Sequence, residues 1–197
     1  MSTTPSYTKL SEYNDQTELN LRKAREELYG YRHDISGKDQ TQFVLTCNNA
    51  VAKFCTNKKS HEPFLVLDPE QNAPLIATLN LIRSRLIADL KLGEDALPPI
   101  ITPGSGLMRP TPPRLIINSN NKKALTDLKN NKIEYSTVEN KECKVGLYIH
   151  IQSVFKNKQN QYSFQLRADR TFLIEIVPTD IVEVVQIDLV DTEECQL

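Results

Sequence analysis

Phe43-Val44-Leu45-Thr46-Cys47-Asn48-Asn49-Ala50-Val51-Ala52-Lys53-Phe54-Cys55-Thr56 is the segment on which the N-terminal half turns. Asp39 precedes it as an N-cap residue, and Gln42 stands three positions later, the spacing of a capping box. Phe43, Val44, Cys47, Val51, Phe54 and Cys55 then fall on one helical face. The spacing predicts a helix that ends by Thr56 or Asn57, ahead of the polar run Asn57-Lys58-Lys59-Ser60-His61. Its two cysteines would lie about 12 Å apart at 1.5 Å per residue, too far for a disulfide.

Outward from this segment the same period recurs. Thr17, Leu21, Ala24, Leu28, Tyr31 and Ile35 alternate in steps of four and three. That spacing predicts a helix from Ser11 or Asn14 to about His33, with Ser36-Gly37 as its stop. Leu75, Ile76, Leu79, Ile82, Leu86, Ile87 and Leu90 form the clearest apolar stripe, with Pro74 in the first turn and Gly93 past the end. Residues 1–95 therefore read as a three-helix unit.

Residues 96–113 hold six of the eleven prolines, at 98, 99, 103, 110, 112 and 113. Proline removes N–H donors and holds φ near one value, so this stretch reads as a semi-rigid connector. Beyond it the period becomes two. Arg114–Asn118 is a strand candidate. Val145, Leu147, Ile149 and Ile151 alternate with Gly146, Tyr148, His150 and Gln152. Tyr162, Phe164 and Leu166 alternate likewise, after a polar loop at 156–160. Phe172, Ile174 and Ile176 continue to Pro178, and Ile181–Leu189 is apolar on both faces. The expected fold class is α+β: an N-terminal three-helix unit (1–95), a proline-rich connector (96–113) and a small antiparallel β barrel or sandwich (114–197).

Charge is balanced overall, with a formal net of −1 and a pI near 6.3. Locally it is not. Arg114 to Arg170 contains eleven Lys/Arg against five Asp/Glu, whereas 171–197 contains seven acids and no Lys or Arg. Such a switch points to a contact surface. A basic hairpin (Lys156, Lys158, Arg167, Arg170) and an acidic strand (Glu183, Asp188, Asp191) are complementary, and a head-to-tail contact between copies would use both. The proline-rich arm 98–113 is a third candidate surface.

Motifs that carry chemistry are sparse. Pro103-Gly104-Ser105-Gly106 lacks the Gly-Lys-Ser/Thr ending of a phosphate loop. His33, His61 and His150 stand at no metal-ligand spacing. A Cys143/His150 nucleophile pair would require the fold to bring the two together. No catalytic, metal or cofactor site is expected. The leading expectation is a non-enzymatic structural or assembly subunit of a multi-copy complex, such as a virion or similar particle, whose partners are itself or other subunits. The alternative is a single-stranded nucleic-acid-binding module with an OB-like β barrel, using Tyr148, His150, Lys156, Lys158 and Arg167. The N-terminus has no apolar signal region, and no apolar run reaches the roughly 20 residues of a membrane span. No membrane partner is expected, and an intracellular (cytoplasmic) setting or an assembled particle is.

Overall fold

A computed structural model describes residues 5–102, 113–119 and 125–178. They are 49% strand and 16% helix. In chain order the elements are β1 (Ser6–Lys9), β2 (Asn20–Leu21), β3 (Arg25–Glu27), β4 (Gly30–Ser36), β5 (Phe43–Thr56), β6 (Pro63–Leu67), α1 (Ala73–Asp89), β7 (Leu115–Ser119), β8 (Leu125–Asp127), β9 (Glu142–Asn157) and β10 (Tyr162–Ile176).

Five of these strands close a barrel. β5 pairs antiparallel with β6, β6 antiparallel with β7, β7 parallel with β10, β10 antiparallel with β9, and β9 antiparallel with β5. Counted by barrel strand, the order is 1-2-3-5-4 and back to 1, with the 3–5 pair parallel. This is the strand order of an OB-type Greek-key barrel. Here the helix follows the second barrel strand. The remaining strands extend the edges: β1 lies parallel to the first part of β5, β4 pairs with the far end of β9, β2 and β3 pair with β4, and β8 with β10.

The three-helix unit is thereby corrected: among the described residues there is one α-helix, α1. The segment 43–56 is a strand because it is two period-2 runs joined out of phase. Phe43, Leu45 and Cys47 point inward, the register shifts between Cys47 and Ala50, and Ala50, Ala52 and Phe54 point inward after it. Asn49 takes a positive φ of 63° at that bulge. A bulge adds one residue to one strand and inverts the parity beyond it. The spliced pattern imitates helical spacing. The stripe from Thr17 to Ile35 shares no face either: Ile35 is buried, while Leu28 is 73% exposed at the turn between β3 and β4. Asp39, the expected N-cap, sits in a short 3-10 turn with φ 53°.

The connector is also not a spacer between two units. Leu97 and Ile100 are buried in the core, and Thr102 and Arg114 exchange two backbone hydrogen bonds of 2.8 and 3.1 Å. The chain enters and leaves 103–113 at one place. β5 and β6 come from before it and β7, β9 and β10 from after it, so one barrel spans both halves. The strand expected at Ile181–Leu189 and the Pro103–Gly106 stretch lie outside the described residues.

One core joins barrel and helix. Leu75, Leu79, Ile82 and Leu86 of α1 share it with Phe43, Phe54, Leu65, Ile117, Leu147 and Ile149. Burying each such side chain is worth about 1.5–3 kcal/mol. Arg85 of α1 donates from Nη1 to the Thr17 carbonyl (2.6 Å) and from Nη2 to the Leu19 carbonyl (3.1 Å), holding the N-terminal segment against the helix. Arg83 donates to the carbonyls of Glu94, Leu97 and Pro98, which fixes the approach to the proline-rich stretch. No helix among the described residues is long and apolar enough to cross a membrane.

Candidate nucleic-acid interface

The barrel register places one row of outward positions side by side. Val44 of β5 pairs with His150 of β9, His150 with Arg167 of β10, Arg167 with Asn118 of β7, and Asn118 with Phe64 of β6. β7 holds β10 only through Asn118 and Ser119, opposite Arg167 and Ala168. On the N-terminal side of Arg167, β10 therefore parts from β7. A cleft of about 570 Å³ opens there between β10, β7, the start of β6 and residues 98–102. Ile116, Phe164 and Leu166 give it apolar surface, and Asn118, Gln165 and Arg167 give it polar surface.

These polar groups are held by neighbours. Arg167 Nε donates to Asp169 Oδ1 at 2.9 Å. Ser153 Oγ donates to Gln165 Oε1 at 2.9 Å, turning the carbonyl end of that side chain toward β9. His150 Nδ1 lies 3.6 Å from Asp169 Oδ2, beyond hydrogen-bond range, and is buried with no hydrogen-bond partner. Burial holds His150 below the usual imidazole range and outweighs the attraction of Asp169. The ring is neutral at pH 7.

A second, smaller compartment of about 300 Å³ lies on the other side of His150, between β9 and β4. Arg22, Asp34, Gln42, His150 and Gln152 line it, and Gln152 also lines the larger cleft. The two compartments have Gln152 in common. Two loops of the barrel carry lysines. Asn57 Oδ1 accepts from the backbone N–H groups of Lys59 (2.9 Å) and Ser60 (3.2 Å), which turns the β5–β6 loop carrying Lys58 and Lys59. Asn157 Oδ1 does the same for Gln159 and Gln161, both at 2.9 Å, in the β9–β10 loop carrying Lys158. Lys156 Nζ sits 5.6 Å from the centre of the Tyr162 ring.

Of the residues singled out in the sequence, Arg167 lines the larger compartment and His150, its cross-strand neighbour, the smaller one; Lys156 and Lys158 line neither. Arg170 is exposed and pairs across the strands with Tyr148. Tyr148 is half-buried and makes T-shaped contacts with Tyr7 (centroids 5.5 Å apart) and Phe172 (5.4 Å). His150, read as a solvated strand residue, is 8% exposed. Glu183, Asp188 and Asp191 lie outside the described residues. Cys143 points into the core and His150 outward from the same strand, so they form no pair; burial raises the Cys143 thiol to about 11. No group of His, Cys, Asp or Glu among the described residues could hold a metal ion. Gln165, Asn118, Gln152 and Asp34 escaped the sequence reading. Phe164 sits where alternation puts it, packed against the core opposite Val154, and its remaining surface lines the cleft.

No protein-family model, no curated protein and no solved structure matches this chain.

Proposed function

We propose that the protein binds single-stranded nucleic acid along the cleft where β10 parts from β7. One observation carries this reading. The cleft where β10 parts from β7 combines apolar and aromatic surface (Ile116, Phe164) with a guanidinium (Arg167), amides and the Glu62 carboxylate. Bases stack on apolar and aromatic surface whatever their identity, and cations follow the backbone. OB-type barrels bind oligonucleotides on the face of their second and third strands and on the loops after strands one and four. β6, β7 and the loops at 57–62 and 158–161 are the corresponding parts. That correspondence is one of fold, and it supports the reading.

The test is anisotropy of a labelled oligo-dT and oligo-U over 50–200 mM salt. Lys58, Lys59, Lys156, Lys158 and Arg167 supply up to five phosphate contacts, for a slope of log K against log salt of about −3.5. Arg167→Gln removes a charge-assisted contact of about 1.5–3 kcal/mol and should weaken binding at least tenfold. Absence of salt-dependent binding to either oligonucleotide refutes the reading.

The assembly-subunit reading retains one observation of its own. Leu28 and Tyr29, at the tip of the β3–β4 hairpin, are each 73% exposed, which suits a protein contact. Native mass by light scattering at low and high salt tests it; a monomer at both salts removes self-assembly.

A further inference from the structure

We infer that Tyr31, Lys156 and Tyr162 form a second stacking subsite for single-stranded nucleic acid, on the end of the barrel next to the cleft. This rests on the cleft being a nucleic-acid interface and lengthens the bound strand beyond it.

Register builds the row. Lys156 of β9 is the partner of Tyr31 on β4 and of Tyr162 on β10. Residues directly opposite in antiparallel strands project to the same side, so the lysine stands between two phenol rings. Lys156 Nζ lies 5.6 Å from the centre of the Tyr162 ring, and Tyr31 is 47% exposed. Adjacent strands lie about 4.8 Å apart, which puts the two tyrosines about 10 Å from each other. That spacing suits a base on either ring and a phosphate on the ammonium between them. Bases stack on an aromatic face whatever their identity, and cations follow the backbone.

The row adjoins the cleft. The pairing of β10 with β9 is unbroken from Tyr162 to Gln165, so Tyr162 shares a face with Phe164, about 7 Å along the strand. Ser163 and Phe164 line the cleft. Farther along, the same face points into the core: Val154, the partner of Phe164, is fully buried. Past Val154 the barrel ends, and the face carries Lys156 and Tyr162, both partly exposed. Closing that end would take apolar side chains; a lysine between two tyrosines leaves a surface that is aromatic and positive instead.

The row is held in place on one side and bounded by charge on the other. Gly30 is the partner of Asn157, and its missing Cβ leaves room for the Lys156 carbonyl. The β3–β4 hairpin thereby seats on the end of β9 and keeps Tyr31 beside Lys156. Glu26 of β3 is the partner of Tyr31. Its carboxylate repels phosphate at that edge, so the strand runs from Tyr31 toward the cleft. Lys158, exposed in the β9–β10 loop, adds a second cation at this end.

The chain has no tryptophan, so Tyr31→Trp introduces a single reporter. A dT 12-mer should quench its emission with the midpoint seen by anisotropy, and an abasic 12-mer of equal charge should not. Tyr31→Ala should weaken dT 12-mer binding at least about fivefold and leave the salt slope unchanged, because stacking releases no counterions. Lys156→Gln, the second variant should Tyr31 substitutions fold poorly, should weaken binding and reduce the slope by about 0.7. Salt-dependent binding with no quenching, and with neither variant affecting it, overturns the subsite and leaves the cleft standing. An emission shift that follows protein concentration without oligonucleotide, together with a rising native mass, assigns the tyrosines to a contact between copies and overturns the subsite as well. No binding to any oligomer overturns the cleft and the subsite together.

Discussion

Replacing Asn72 by alanine removes the side chain that stabilises the bulge in β5. Asn72 is 3% exposed, just before α1. Its Oδ1 accepts from the Val51 N–H at 2.9 Å, and its Nδ2 donates to the Val51 carbonyl at 2.9 Å and to the Asp68 carbonyl at 2.8 Å. The carboxamide thus pairs with Val51 as a strand neighbour would, immediately after the shift between Cys47 and Ala50. Alanine leaves a backbone N–H and two carbonyls without this partner. Each buried group so stranded costs about 1–3 kcal/mol, and Val51 is only partly buried, so the total should be about 2–4 kcal/mol. For a chain of this size that lowers Tm by roughly 4–16 °C. Urea denaturation of Asn72→Ala and Asn72→Asp measures it. The aspartate keeps the acceptor for Val51 N–H and loses both donors, so it should fall between wild type and alanine near neutral pH. A loss under about 0.5 kcal/mol for alanine would show that the bulge holds without Asn72, and the reasoning would fail.

Two further perturbations test other joints. A Cβ at Gly30 would collide with the Lys156 carbonyl, where β4 meets β9, and φ there is 158°. Gly30→Ala should therefore cost at least about 2 kcal/mol, read as a lower urea midpoint, and an unchanged midpoint would refute the close packing. His150 has a folded pKa held below its ordinary 6.5 by burial, so the unfolded chain binds more protons in that range. Its contribution is complete above about pH 6.5 and is lost as pH falls toward the lower folded value. Stability measured from pH 7.5 to 5 should drop with falling pH, and His150→Gln should flatten that drop; identical slopes would count against it.

What could be read from the sequence follows from what interrupts a pattern. The stripe of α1 runs without interruption from Leu75 to Ile87, and the structure keeps it as Ala73–Asp89. The alternation at 145–151 is equally unbroken, and those four odd positions are fully buried in β9. The failures come where one residue shifts the phase or where exposure is set from far away. In β5 the pair Asn48-Asn49 reverses the parity, and Val44, an outward position beside Tyr7 of β1, is nonetheless buried. In 25–36, the turn Leu28-Tyr29 carries none of the usual Asn-Gly chemistry, and Leu28 counted in a helical stripe although it sits at an exposed tip.

The cleft was less legible than the strands that make it, because its shape depends on where two strands separate. Period two marks Gln165, Arg167 and His150 as one face, but not that β10 leaves β7 just before Arg167. Charge counting pointed to the same region for an incomplete reason. It credited Arg167 as a free cation, whereas its Nε is bonded to Asp169, and it passed over Asp34, which comes from the half read as helical. The face around Arg167 is therefore less positive than its sequence: Asp169 offsets Arg167, and Glu62 lines the same cleft.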